Sequence, residues 1–281
     1  MIYVSSACIC NEKICDTVEM FAQNNILNIE LSGGTKYYDN IEKDLIRLKE
    51  RYGINYVCHS YFPPPPKDFV VNLASCSKEI YNKSINHYLE CIDMLCRVGI
   101  NVLSIHSGFL FETRPENLGK KIIPYKIYGK ESIEKFINAF QIIQEKCKKN
   151  NISLFLENNV ISRQNFESFG RQNLFMMTDS ENIIKILDCL NCNLLLDLAH
   201  LRVSCTALGL DFEKEKDILI PISRWFHISE NNGVIDQHKV LEEGSVLSIA
   251  AKQVMRLGHN ITLETNGSIE EIKKTIEDLE R

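Results

Sequence analysis

The chain has 281 residues, and its 32 lysines and arginines against 37 aspartates and glutamates give a net charge of −5. With 44% hydrophobic and 25% charged residues, it has the composition of a water-soluble globular protein and not of a fibrous or disordered one. No apolar run approaches the roughly 20 residues that cross a bilayer, and no leader pattern opens the sequence, so we expect a cytoplasmic protein without a membrane partner.

Eight short apolar runs alternate with amphipathic stretches, and no change of composition marks a linker. The expected strands are Ile2–Ser5, Leu27–Leu31, Ile54–Cys58, Asn101–Ile105, Ser153–Leu156, Asn193–Leu196, Trp225–Ile228 and Asn260–Leu263. The expected helices lie near Ile14–Asn24, Ile41–Arg51, Ser77–Val98, Ser132–Lys149, Ser180–Leu190, Phe212–Ile218, Ser245–Leu257 and Ile269–Leu279. Ser268, three residues before Glu271, has the spacing of a capping box at the last helix.

Eight strand-then-helix units predict the α/β class and a single (β/α)8 TIM barrel spanning residues 1–281. Parallel strands need helical crossovers, and eight such strands close a sheet into a barrel. An open doubly wound sheet is the alternative, but no Gly-x-Gly-x-x-Gly follows the first strand. Gly33 and Gly34 instead indicate a turn.

Two segments interrupt this alternation. The proline run from Pro63 to Pro66 predicts a stiff, extended loop after the third strand. Residues 109–130, with Pro115 and Pro124, predict a long loop after the fourth strand. Both loops should lie at the carboxyl ends of the strands, the face where barrel enzymes carry their active sites.

The eleven cysteines are an odd number in a chain much longer than disulfide scaffolds, so we interpret them as reduced thiols. They are Cys8, Cys10, Cys15, Cys58, Cys76, Cys91, Cys96, Cys147, Cys189, Cys192 and Cys205. Cys189 and Cys192 have the spacing of half a zinc ribbon, but no second pair accompanies them. We therefore predict that this pair serves packing.

Six consecutive strands end on a side chain that can bind a metal ion. In the order of the third to the eighth strand they are His59, His106, Glu157, Asp197, His227 and Glu264. His200 follows Asp197 by three residues, and Asp236 and His238 lie in the loop after His227. Because all strand ends of a barrel meet at one rim, these nine residues should converge. Crowded imidazoles and carboxylates would repel or shift their pKa values, and a bound divalent cation relieves this.

The constellation resembles the xylose isomerase-like TIM-barrel superfamily, or AP endonuclease family 2, which contains endonuclease IV and many sugar isomerases and epimerases. The resemblance covers nearly the whole chain, and it includes the strings Val71-Asn72-Leu73-Ala74-Ser75, Lys83-Ser84-Ile85, Ser104-Ile105-His106-Ser107-Gly108 and Leu263-Glu264-Thr265. All nine positions that hold the three zinc ions of endonuclease IV have a matching residue here. The resemblance implies one to three divalent ions per chain, with Zn, Mn, Co, Fe and Mg as candidates.

By similarity to the epimerases, Glu157, Asp197, His227 and Glu264 would hold one ion that stabilises an enediolate, while the two glutamates move a proton. His200 would assist by hydrogen bonding to the substrate. The string from His227 to Asn231 resembles the epimerase form of this strand. The implied partner is a small carbohydrate, with or without a phosphate. The cations nearest to these motifs are Arg202, Arg163 and Lys67.

The endonuclease branch implies a different activity, namely phosphodiester hydrolysis by three zinc ions with Glu157 bridging two of them. Nucleic acid is nevertheless the less favoured partner, because the chain is acidic and the first strand lacks the Gly-x-His opening of that branch. The proline run also displaces the loop that would enter damaged DNA. A metal-binding accessory protein is a third possibility. The oligomeric state stays open, and a homo-oligomer is compatible with the sequence.

Overall fold

Eight parallel strands form a closed barrel in the computed structural model, which describes residues 1–9, 11–117 and 120–281. In chain order, β1 to β8 are Ile2–Ser5, Asn28–Leu31, Asn55–His59, Val102–His106, Ser153–Glu157, Asn193–Asp197, Ser223–Ile228 and Asn260–Leu263. Each strand pairs with its neighbours in the sequence, and β8 pairs with β1 to close the sheet. The predicted (β/α)8 barrel is confirmed. Cys10 and the loop residues Leu118 and Gly119 lie outside the described residues.

The helices cover the outside of the barrel. Within the described residues, α1 to α10 are Ile14–Gln23, Ile41–Tyr52, Lys78–Val98, Glu131–Lys149, Arg163–Ser168, Ser180–Leu190, Leu198–Leu208, Phe212–Leu219, Val246–Arg256 and Ile269–Glu280. The capping box at α10 is confirmed, because the Ser268 side chain accepts from the Glu271 backbone while the Glu271 side chain accepts from the Ser268 backbone.

The sequence pattern missed α7, which starts directly after the last residue of β6 and precedes the expected helix at Phe212. Eight of its eleven residues are buried, so no amphipathic period reveals it. The short α5 was missed as well. The long loop expected over residues 109–130 contains a short antiparallel hairpin, in which Phe111–Glu112 pairs with Lys126–Ile127.

An apolar layer fills the lower barrel interior. It consists of Tyr3, Val57, Phe155, Leu195 and Trp225, which pack together as one buried cluster. Residues two positions apart on a strand point to the same side. Phe155, Leu195 and Trp225 therefore lie one layer below the ligand-type residues of β5, β6 and β7, and they form an apolar floor for the polar groups above.

The ten cysteines that the structure describes form no disulfide with one another. Cys189 lies in α6 and Cys192 immediately precedes β6, as expected for residues at a helix-to-strand connection. Across the described part of the chain, no helix combines the length and the apolar character needed to cross a bilayer.

Candidate metal centre

All nine ligand-type residues that the sequence singled out meet at the carboxyl-terminal rim. They are joined by side-chain contacts of 2.9–3.7 Å into one network. The strand register explains the convergence, because His106 is level with Glu157 and Asp197 is level with His227. Neighbouring strands thus present their terminal side chains at the same height.

Glu157 lies at the centre of the network and is fully buried. Its Oε2 is 3.3 Å from His59 Nε2 and 3.1 Å from His106 Nδ1. Its Oε1 is 3.2 Å from His227 Nδ1 and 3.7 Å from His200 Nδ1. The two carboxylate oxygens therefore face two different sets of imidazoles.

The loop after β7 adds a second part to the network. Asp236 Oδ2 lies 3.3 Å from His200 Nε2 and 2.9 Å from His238 Nε2. Paired backbone hydrogen bonds of 2.8 and 2.9 Å between Glu230 and Lys239 hold this loop over the barrel. The loop geometry thus places Asp236 and His238 against the helix residue His200.

Several buried ligand-type atoms have no hydrogen-bond partner among the described residues. They are both carboxylate oxygens of Glu157, His106 Nδ1, His227 Nδ1, Asp197 Oδ2 and Asp236 Oδ1. A buried polar atom left unpaired costs about 1–3 kcal/mol, so such a concentration demands a compensating partner. Imidazole nitrogen and carboxylate oxygen are ligands of zinc, manganese, cobalt and iron. The ligand atoms of Glu157, Asp197 and His227 lie within 4.8 Å of one another, and the set fits a divalent ion.

The protonation of the cluster follows from burial and mutual attraction. Burial lowers the pKa of His106 to about 4, which leaves a neutral imidazole with a free lone pair. Burial alone would raise the pKa of Glu157, but the attraction of His106, His59 and His227 in their protonated forms outweighs this and lowers it. Burial raises the pKa of Asp197 to about 7. The central carboxylate is therefore ionised at neutral pH.

We expect the metal-free protein to become less stable between pH 7 and pH 9. Burial would lower the pKa of His238, but the carboxylate of Asp236 raises it to about 9. The unfolded value is about 6.5, so the stability due to the charged imidazole is complete below that pH and is lost as the pH rises towards 9. The midpoint of thermal unfolding of chelator-treated protein, measured at pH 7 and pH 9, should fall.

The Asp197 carboxyl contributes in the same direction, because its folded pKa of about 7 lies above its unfolded value of about 3.9 and the last part of its titration falls inside this window. The variant His238→Asn should show a smaller fall than the wild type. A midpoint that stays constant or rises in the wild type contradicts the expectation.

A cavity of about 350 Å³ opens above the network, between the loops that follow β1, β2 and β3. It is lined by Ser6, Ala7, Ile9, Ser32, Gly33, Gly34, Thr35, His59, Tyr61, His106, His200, His238 and Glu264. Tyr61 packs so closely on Gly33 that a Cβ added there would lie 2.8 Å from the Tyr61 Cβ. Glycine at position 33 is therefore required by this contact. No motif in the sequence distinguished Ser6, Ser32 or Thr35 as cavity residues.

Glu30 is a further member of the centre that the sequence reasoning missed. It lies in β2, it is buried, and its Oε2 is 3.0 Å from His227 Nε2. A charged residue inside the apolar run from Leu27 to Leu31 was the available signal, because a buried carboxylate needs a partner.

The three candidate cations for substrate binding do not line the cavity. Arg202 donates to Glu230 Oε1 at 2.9 Å and to the Asn231 carbonyl at 2.7 Å. Arg163 lies at the start of α5, 3.7 Å from Glu167, and Lys67 is exposed in the loop after β3. Arg202 therefore ties α7 to the loop that carries the second part of the network.

Solved structures share this fold. A D-tagatose 3-epimerase-like protein has a TM-score of 0.74 at 18% identity, covering 99% of this chain and 95% of that one. The TTHB071 protein from Thermus thermophilus, soaked with ZnCl2, has a TM-score of 0.68 at 15% identity, with coverages of 99% and 96%. D-psicose 3-epimerase from Clostridium cellulolyticum, solved with D-tagatose, has a TM-score of 0.66 at 12% identity, with coverages of 99% and 96%.

Sequence comparison with curated proteins gives no match. A family model described as a xylose isomerase-like TIM barrel, in contrast, matches residues 14–280, which is nearly the whole chain. The structural similarity at low identity agrees with this match in the fold. The chain therefore belongs to the xylose isomerase-like TIM-barrel family.

Proposed function

We propose that this protein is a metal-dependent epimerase or isomerase of an uncharged sugar. The observation that carries the proposal is that the carboxylates of two glutamates lie next to the same imidazole nitrogen. Glu157 Oε1 and Glu264 Oε2 lie 3.2 and 3.5 Å from the same Nδ1 atom of His227. An ion held at this nitrogen would have two carboxylates close to it, and a pair of carboxylates can supply the proton transfers that epimerisation next to a carbonyl requires.

In this proposal Glu157, Asp197, His227 and Glu264 hold the ion, which when bound polarises the substrate carbonyl and stabilises the enediolate charge. Glu264 lines the cavity and its pKa is held well below the usual value by the surrounding histidines, chiefly His227, against the effect of burial. It is thus an ionised base that can remove the proton from the substrate carbon.

Glu157 is fully buried and does not line the cavity, but it is the second carboxylate at His227 Nδ1 and would be the group that returns the proton. A proton returned to the other face of the carbon gives the epimer, and one returned to the neighbouring carbon gives the isomer.

The cavity supports an uncharged substrate. Its lining offers the hydroxyl groups of Ser6, Ser32 and Thr35, and Thr35 Oγ1 is buried without a hydrogen-bond partner among the described residues. Neither lysine nor arginine occurs in the described lining. A phosphate carries about two negative charges, and the only possible counter-charges in the described lining are imidazoles, of which His238 is already paired with Asp236. Hydroxyl groups of a sugar match these partners better.

The experiment is proton exchange in deuterated water, followed by NMR, with metal-loaded protein and a panel of ketopentoses and ketohexoses. We expect deuterium to enter next to the carbonyl of at least one free sugar, and chelator treatment should abolish this. The corresponding sugar phosphates should exchange at least about tenfold more slowly, because one unpaired charge costs more than about 1.4 kcal/mol. Exchange on sugar phosphates alone would contradict the proposed substrate class.

Phosphodiester hydrolysis is a second candidate. It is favoured because the two carboxylate oxygens of Glu157 contact different histidines, and because His200, Asp236 and His238 form an additional group of ligand-type residues. These contacts could accommodate more than one ion. Elemental analysis separates the candidates, since one ion per chain supports the sugar enzyme and three support the hydrolase. Wild-type protein that cleaves abasic DNA and exchanges no sugar proton would make the first proposal wrong.

A further inference from the structure

The carboxylate of Glu30 is enclosed in the barrel interior, between the apolar floor and the metal centre. Its Oε2 accepts hydrogen bonds from His227 Nε2 at 3.0 Å and from Thr262 Oγ1 at 3.1 Å. The register places Thr262 beside His227 on the neighbouring strand, so both donors approach from the same wall of the barrel. The chain thus keeps a costly buried charge next to a residue that we assign to the metal.

The direction of these hydrogen bonds is determined by Trp225. Its indole Nε1 can only donate, and it donates to Thr262 Oγ1 at 2.9 Å. The threonine oxygen therefore accepts from the indole and uses its own hydrogen for Glu30. A carboxylate that accepts from Thr262 leaves His227 Nε2 as the second donor, so the proton of the neutral imidazole belongs on Nε2.

The opposite edge of the imidazole faces the centre. His227 Nδ1 has no hydrogen-bond partner among the described residues, and Glu157 and Glu264 lie next to it. With the proton on Nε2, the lone pair of Nδ1 points towards the site of the ion. Glu30 lies beside the other ring nitrogen, and the ligand atoms of Glu30, His59 and His227 also lie within 4.8 Å of one another, so an ion on Nε2 is the competing arrangement.

We propose that Glu30 is the positioning residue of the metal centre, which holds the Nε2–H tautomer of His227 and thereby directs Nδ1 to the ion. This inference rests on the proposed function only in assuming that the centre binds a divalent ion. Hydrogen-bonded partners of this kind set the orientation of metal-binding histidines in general. The assignment of the role to Glu30 comes from the chain of donors described above.

The Nδ1 atoms of two other histidines pair with neutral groups. His59 Nδ1 pairs with Ser104 Oγ at 2.8 Å, and His200 Nδ1 pairs with the Asn158 carbonyl at 3.1 Å. Hydrogen bonds to a charged partner are about twice as strong as neutral ones. Loss of Glu30 should therefore affect His227 more than loss of Ser104 affects His59.

The test uses Zn²⁺ as the probe, with affinity measured by competition with a chelator and the ring nitrogens of His227 observed by ¹⁵N NMR. In the wild type we expect zinc on Nδ1 and a proton on Nε2. Glu30→Gln can still accept from Nε2 and should lose less than about tenfold in affinity. Glu30→Leu should lose about 10–100-fold and show mixed coordination through both nitrogens.

Ser104→Ala is the matched control, because it removes the outer partner of a different histidine, and its loss of affinity should be smaller than that of Glu30→Leu. Circular dichroism checks that each variant folds, and Glu30→Gln keeps the test decisive if the leucine variant does not. Wild-type zinc on Nε2, or unchanged affinity in Glu30→Leu, overturns the inference. Zinc on Nδ1 without any sugar proton exchange contradicts only the proposed function, whereas a wild type that binds no zinc contradicts both.

Discussion

Replacing Glu157 with Gln should lower the affinity for a divalent ion by about 10–100-fold or more. The substitution keeps the size of the side chain but removes the charge at the one residue whose two oxygens contact His59, His106 and His227. Glu157 is fully buried, so solvent cannot compensate for the loss of its charge. Metal content after purification without added metal, together with competition titrations, measures the effect.

Glu112 provides a matched control, because it is another buried glutamate, in the hairpin after β4, hydrogen-bonded to Ser75 and Tyr128 and absent from the network. Glu112→Gln should keep the metal content of the wild type, whatever it does to stability. Equal metal content in the Glu157→Gln variant and the wild type would show that Glu157 is not a ligand.

Replacing Glu264 with Gln should slow sugar proton exchange by about 10²–10⁴-fold, the usual contribution of general acid–base catalysis. Of the two glutamates at His227, Glu264 is the one that lines the cavity. The rate of deuterium incorporation, measured at saturating metal, separates loss of the base from loss of the ion.

Asp236 and His238 provide the comparison for this rate. They lie on the far side of His200 from Glu157 and should be peripheral to a single ion held at His227. The double variant Asp236→Asn, His238→Asn should therefore keep substantial exchange. If it loses activity as completely as Glu264→Gln, and if the wild type cleaves abasic DNA, three ions act together and the hydrolase is the correct function.

The predicted strands agree with the structure within a few residues at each end, because buried β-branched runs between turn residues have few alternatives. The placement of His106 and Glu157 at neighbouring strand ends followed from the same pattern. Arg202 illustrates the limit of this reasoning. Its position two residues after His200 suggested substrate binding, whereas in the folded chain its guanidinium pairs with Glu230. The sequence distance to a motif does not reveal which way a helix side chain points.

The sequence by itself determined the barrel and the nine polar residues at its rim, since both depend on local periodicity and on the rule that parallel strand ends share one face. Only the tertiary structure decided that the two oxygens of Glu157 face different histidines, that Glu30 lies behind His227, and that Tyr61 closes on Gly33. These relations join residues up to 197 positions apart. They depend on the tilt and register of the closed sheet, which no short stretch of sequence encodes.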